Sequence, residues 1–310
     1  MQYDEDFIER PDGDAIAYRA WRCRAPKATL LLVHGMAEHT GRYGQFGETL
    51  TDHDINLVAF DLPGHGEHCD PADQGQLTGW DDIFAAFLAV KQQATQWEPG
   101  VPLFIMGHSL GGYLCLDWLS RHPIEGLEGA IISGAGLNQK LELQVGLLAA
   151  KFERWRQGDS GKSALLNTLS FKKFNNAFKP TDTAFDWLSR DTAAVDAYIE
   201  DPWCGFWVSN QYWIEIAQAN LRIARPRGLD HFPTQLPVMA FCGENDPVSR
   251  FGIGLELLSQ ALGNGKMADL SVKQYKGARH EMLFELSKET VMADIVEWIT
   301  ARIPRAVGAE

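Results

Sequence analysis

Ser109 stands in the middle of Gly107-His108-Ser109-Leu110-Gly111, a pattern that suits a nucleophile. The apolar run VPLFIM precedes this pentapeptide, and SLGGYLCLDWL follows with Leu110, Leu114 and Trp118 at helical spacing. A G-x-S-x-G turn this tight between strand and helix forces a strained backbone on its central residue, and glycines beside it avoid the clash. The turn lifts the serine hydroxyl above a sheet edge and sets a helix N-terminus behind it. A glycine-rich turn whose serine merely caps a helix is the plainer alternative. The strand before it and the helix after it favour the nucleophile.

A serine attacks only when a base takes its proton, and the base needs a carboxylate to hold its tautomer. Asp246, in LPVMAFCGENDPVSR, lies just beyond one strand-like run, and His280, in LSVKQYKGARHEML, lies just beyond the next. Ser109, Asp246, His280 is the chain order of an α/β-hydrolase triad. Glu244, closer to the strand end, is the rival acid. The other requirement is an oxyanion hole. LLLVHGMAEHTGRY supplies one donor, the backbone N–H of Met36, and the residue after the nucleophile, Leu110, supplies the second. His34, Glu38 and His39 share a loop without further ligands at metal-site spacing. His65 and His68, in DLPGHGEH, read as hydrogen-bonded loop histidines. The sequence therefore points to no metal and no cofactor.

These groups need a scaffold that ends several strands at one edge. Strand-like runs occur at ATLLLV, INLVAF, PLFIM, GAIIS, LPVMAFC and LSVKQY, after a hairpin in which DFIER and AIAYRAW flank a PDGD turn. Helical patterns lie between them at about 44–53, 81–96, 109–121, 251–262 and 288–303. The alternation predicts an α/β fold with a doubly wound, mostly parallel sheet. From about Leu137 to Asp230 only helical patterns and aromatics appear. The expected division is a core in two parts, 1–136 and 231–310, around a helical cap insertion at 137–230.

With 310 residues, 45 % of them hydrophobic, the chain can bury a large core. A net charge of −13 disfavours nucleic acid or an anionic membrane as a partner through bulk electrostatics. The five cysteines are widely spaced without a C-x-x-C pair, and the acidic start MQYDEDFIER has no secretory pattern. The expectation is free thiols in a cytoplasmic protein without an integral membrane segment.

With these residues placed, the chain resembles the monoglyceride lipase and lysophospholipase branch of the α/β-hydrolase superfamily, the serine aminopeptidase-like hydrolases. VHGMAEHTGRY, DLPGHGEH, GHSLGG, GENDPVS and GARHEML carry the resemblance, which spans the core from about Lys27 to Ile303. It implies Ser109, Asp246 and His280 as nucleophile, acid and base, with Met36 and Leu110 as oxyanion donors. One departure is visible: the family's first block reads H-G-x-G-E-H, and Ala37 stands here at the second glycine. The insertion resembles the family's cap only through WLSRD and DPWCGF.

Within the insertion, Leu141, Val145, Leu148, Phe152 and Trp155 recur at spacings of four and three, one apolar stripe on a helix. The stripe either packs on the core, lines an acyl pocket or touches lipid aggregates. Its aromatic neighbours suit an acyl chain, and Leu148, Phe152, Trp203 and Trp207 are the expected lining. No pair of basic residues stands out to hold a phosphate. The predicted substrate is a small neutral acyl ester of monoacylglycerol type, with a lysophospholipid as the alternative. An aminopeptidase would need an ammonium anchor, for which Glu153, Asp186, Asp196, Glu200 and Asp201 are candidates. A ligand-sensing receptor on a hydrolase scaffold is the reading from outside the enzymes, and an intact triad disfavours it.

Overall fold

A computed structural model describes residues 3–9, 15–77, 79–122, 125–263 and 267–303. Its centre is an eight-stranded sheet in the order β1-β2-β4-β3-β5-β6-β7-β8. The strands are β1 (Asp4–Glu9), β2 (Ala15–Trp21), β3 (Ala28–Val33), β4 (Ile55–Phe60), β5 (Leu103–His108), β6 (Leu127–Ser133), β7 (Val238–Gly243) and β8 (Leu270–Tyr275). β1 and β2 pair antiparallel at one edge, and every pairing from β4 to β8 is parallel. The PDGD turn between β1 and β2 lies outside the described residues. Continuous apolar runs such as ATLLLV and INLVAF form the middle of the sheet because both of its faces are covered, and every residue of β3, β4, β5 and β7 is buried.

The core helices are α1 (Gly44–Thr51), α2 (Trp80–Trp97) and α3 (Leu110–Arg121), joined late in the chain by α9 (Ile253–Gly263) and α10 (Lys288–Thr300). Residues of α2, α3 and α9 pack on one face of the sheet, with Phe87, Leu114, Trp118 and Leu258 in its core. Residues of α1 and α10 cover the other, with Phe46, Leu50, Val291 and Ile295. α9 begins two residues later than its apolar pattern suggests. Arg250, Phe251 and Gly252 all have positive φ, at 56°, 57° and 87°, and such a run cannot continue into a right-handed helix.

Between β6 and β7 lie α4 (Lys140–Gln157), α5 (Ala164–Asn167), α6 (Lys173–Asn176), α7 (Thr192–Glu200) and α8 (Asn210–Ala224), with no strand among the described residues. Two buried carboxylates fasten this insertion to the core. Asp117 of α3 accepts from both Arg222 of α8 and Trp80 of α2, and Glu285, after β8, accepts from Arg190. All five cysteines are unpaired, and no described helix is long and apolar enough to cross a membrane.

Candidate active site

The sheet reverses its winding between β3 and β5, and loops from four strand ends meet above that point. The turn from β5 into α3 holds Ser109 at φ 52°, a left-handed conformation rare outside glycine. Its glycines are sterically required. A Cβ at Gly111 would overlap the Val33 carbonyl at the end of β3, and one at Gly107 would overlap the Gly111 backbone. The Ser109 amide donates to Ser133 O at the end of β6, which locks the turn to the neighbouring strand.

His280 reaches this serine from the loop after β8, with Nε2 2.8 Å from Ser109 Oγ. Its Nδ1 lies 2.9 Å from Asp246 Oδ1, in the loop after β7. Asp246 and His280 are buried, while Ser109 is partly open to a cavity. Burial alone would push the His280 pKa down, but the charge and hydrogen bond of Asp246, with the Glu281 and Glu38 carboxylates beyond, together outweigh it and raise the pKa above its ordinary value. Glu244, the rival acid, is exposed and accepts from the Gly277 amide.

Two rings flank this imidazole. Trp187, from the insertion, stacks on it with centroids 5.1 Å apart and planes at 30°. His108 lies at the same centroid distance, tilted by 41°. Burial, with a smaller push from His280, holds the His108 pKa down at about 3, so a neutral ring rather than a second cation faces His280.

The turn after β3 is tethered on both sides of Met36. Gly35 N–H donates to Glu38 Oε1, His34 Nδ1–H to Gly35 O, and Ala37 N–H to His65 Nε2. Met36 and Leu110 both line the cavity beside Ser109, and Leu110 opens α3, so its N–H has no intrahelical partner. Glu38 also accepts from Tyr43 Oη and Arg42, and Arg42 grips Glu281 through two bonds of 2.7 Å. The Arg42 guanidinium overcomes the burial that would raise the Glu38 carboxyl, which stays well below the usual range. This ion-pair chain joins the Met36 turn to the residue beside His280. His34, Glu38 and His65 are thus occupied in shaping the turn, while His68 bonds to Glu5 near the molecular edge.

Among the described residues, His39, Asp201 and Cys204 bring donor atoms within 4.8 Å of one another. His39 Nδ1 accepts from the Gly41 amide, which puts the ring proton on Nε2, where it bonds to Asp201 at 2.8 Å. The cluster is a hydrogen-bonded tie between the insertion and the β3 loop.

The cavity measures about 990 Å³, and its walls are mainly apolar. Phe171, Phe174, Trp187, Leu188, Trp213 and Ile216 carry the insertion's side of it. The expected lining needs correction. Leu148, Phe152, Trp203 and Trp207 all lie off this wall. α4 packs Leu147, Ala149 and the fully buried Ala150 against Leu166 and Ile214, so its apolar stripe turns outward. From Leu141 to Trp155 the stripe residues are 53–80 % exposed, and only Leu141 and Val145 reach the cavity mouth. Trp203 and Trp207 belong to a connector that docks on core loops through Gly205 N–H to Ala37 O and Ser209 N–H to Gly75 O. Trp187, one of the many aromatics of this segment, is not singled out by the sequence as a neighbour of His280, and Phe171, Phe174 and Trp213 are likewise missing from the expected lining. Trp187 is signalled only by the WLSRD block and by the aromatic density around it, because its contact with His280 spans 93 residues of chain.

Residues 24–287 match the family model for serine aminopeptidase, S33. Monoglyceride lipase from Mus musculus is 27 % identical over 98 % of this chain and 92 % of that protein. Monoacylglycerol lipase from Mycolicibacterium smegmatis is 24 % identical over 94 % and 95 %. In fold, the carboxyl esterase of Bacillus coagulans superposes with a TM-score of 0.89 at 21 % identity, covering 98 % of this chain and all of that one. A soluble variant of the Saccharomyces cerevisiae monoglyceride lipase gives 0.77 at 21 % identity, over 98 % and 96 %. The chain belongs to the serine aminopeptidase S33 family, on the monoglyceride lipase branch of the α/β-hydrolase superfamily.

Proposed function

We propose that this serine hydrolase cleaves a neutral acyl ester of monoacylglycerol type through an acyl-enzyme. The observation that carries the reading is the Ser109–His280–Asp246 chain of hydrogen bonds opening into a large apolar cavity. In the first half-reaction His280 Nε2 takes the Ser109 proton as Oγ attacks the ester carbonyl, and Asp246 stabilises the imidazolium through Nδ1–H. The Met36 and Leu110 amides receive the oxyanion. The alcohol leaves with the proton from His280. Water, activated by the same ring, then releases the fatty acid.

Residues 137–230 act in this scheme as a cap whose apolar walls hold the acyl chain. Each methylene buried there is worth about 0.8 kcal/mol. The outward stripe of α4, continuous with the cavity mouth at Leu141 and Val145, suits transient contact with lipid aggregates that present such esters. The relatives named as monoglyceride lipases support this substrate class. The candidate ammonium anchors Glu153, Asp186, Asp196, Glu200 and Asp201 all lie off the cavity wall, and of the carboxylates on it Glu38 and Glu281 are both bound by Arg42, so an aminopeptidase would have to rely on Glu142 of α4. A lysophospholipid is the second reading, favoured by Lys173 and Arg250 on that wall, the latter with its Nη1 buried and unpartnered.

The deciding experiment pairs a panel of esters with one substitution. Monoacylglycerols, simple esters graded from acetyl to long chains, lysophospholipids and aminoacyl amides are assayed side by side. kcat/KM is expected to climb with acyl length and to favour the neutral glycerol esters. Ser109→Ala is expected to melt like the parent and lose turnover by a factor on the order of 10⁴ to 10⁶. More than a tenth of the parent rate in the pure variant rejects Ser109, and a preference for acetyl esters rejects the acyl pocket.

A further inference from the structure

Ala37 is an alanine with φ 57°, a left-handed conformation that its Cβ disfavours and that glycine adopts freely. Such strain persists only where the surroundings over-determine it. Three hydrogen bonds hold this residue. Its N–H donates to His65 Nε2 at 3.1 Å. That acceptor is permanent at working pH, because His65 Nδ1–H is committed to Pro63 O and burial lowers the ring's pKa to about 3. The Ala37 carbonyl accepts from Tyr198 Oη at 2.8 Å and from Gly205 N–H at 2.9 Å, and both donors belong to the insertion. Tyr198 is itself buried, with its ring 4.8 Å from the Arg42 guanidinium, so its hydroxyl has a fixed bearing. The tie between His39 and Asp201 fastens the same two segments two residues further on.

We propose that Tyr198 is a positioning residue that clamps the strained Ala37 peptide and thereby aims the Met36 amide at the oxyanion, making transition-state stabilisation depend on the seated cap. The proposal rests on the ester-hydrolase reading and on Met36 as an oxyanion donor. Tyr198 also lines the cavity, so a simple substrate contact is the competing role. The two differ in what they change. A contact with the acyl chain alters KM for long substrates only, whereas a clamp on the oxyanion loop alters kcat for every ester.

The test is a double-mutant cycle of Tyr198→Phe and Ala37→Gly on the full chain, read with acetyl and long-chain esters and with a boronic acid that forms a tetrahedral adduct on the serine. Tyr198→Phe is expected to lower kcat by about 10-fold to about 100-fold on both esters, to weaken the boronate by a similar factor and to leave KM unchanged. In the Ala37→Gly background, where the left-handed backbone costs little without a clamp, the same substitution is expected to cost no more than about threefold. Thermal melting checks that each variant is folded. Should Tyr198→Phe not fold, Asp201→Ala releases the neighbouring tie and is expected to give the same signature, smaller in size. A loss equal in both backgrounds, or confined to KM for long chains, overturns the proposal. A parent enzyme inert to every ester and to serine-directed phosphonates instead overturns the reading beneath it.

Discussion

His280 has a carboxylate at one ring nitrogen, a serine hydroxyl at the other and aromatic rings on either side. The Asp246 carboxylate, acting against burial, raises its pKa. In the proposed mechanism the ring acts as base only when neutral, so activity is expected to rise with pH through an apparent pKa above the ordinary imidazole value of about 6.5. Asp246→Asn removes the charge that raises it and frees the ring to take the wrong tautomer. That variant is expected to lose kcat by roughly 10⁴-fold and to shift the remaining limb to lower pH. A pH–rate profile of parent and variant checks both, and a limb that does not move separates Asp246 from the base. The pairing itself was readable because Asp246 follows the continuous apolar run of β7, a buried strand, and His280 follows LSVKQY, whose alternation of apolar and polar residues marks the edge strand β8. Arg42, Glu281 and Tyr198 were not, because what they touch depends on loops converging across up to 239 residues of chain.

α4 shows how far an apolar period can be read. Spacings of four and three place Leu141, Val145, Leu148, Phe152 and Trp155 on one face, and the structure keeps them there. Periodicity carries no information on what covers that face. The helix buries Ala150 and half-buries Leu147 instead, and the stripe stays in water. If lipid aggregates cover it during turnover, removing its apolar bulk weakens partitioning and leaves the chemistry alone. Leu148→Ser, Phe152→Ser and Trp155→Ser are each expected to lower the rate on a dispersed long-chain ester about fivefold, the equivalent of roughly 1 kcal/mol of lost apolar burial. The rate on a dissolved short ester and the melting temperature are expected to stay at parent values. Vesicle co-sedimentation should fall in step with the dispersed-substrate rate. Equal losses on dissolved and dispersed substrate place the stripe's role in folding rather than at a lipid surface. The strands needed no such arbitration, since a sheet covered on both faces admits apolar residues at every position, as in β3 and β4.

At the scale of the whole molecule, the loops that build the site also set how the fold responds to acid. His34, His65 and His108 are buried where they converge, and burial lowers all three pKa values, to about 3 for His65 and His108. An unfolded chain takes these protons at about pH 6.5. Between about 6.5 and 3 the unfolded state therefore binds more protons than the native one, so stability falls as pH drops, by about 1.4 kcal/mol per pH unit for each such proton. His280 has the opposite sign. Its raised pKa gives stability that is fully present below about 6.5 and is lost as pH rises through the folded value, so it offsets part of the loss. Glu38 adds nothing in the upper part of this window, because its depressed pKa matters only below the ordinary carboxyl value. Three lowered rings against one raised ring leave a net uptake of protons on unfolding. Thermal midpoints are therefore expected to fall between about pH 7.5 and about pH 5.5 in roughly 0.5 M salt, where a Debye length of about 4 Å suppresses the self-repulsion of the −13 chain. His65→Gln, which keeps an acceptor for Ala37 N–H without a titrating ring, is expected to flatten that slope by about one proton. Calorimetry in buffers of different ionisation enthalpy counts the protons directly, and release rather than uptake on unfolding at about pH 6 would show that the buried rings do not control the acid response.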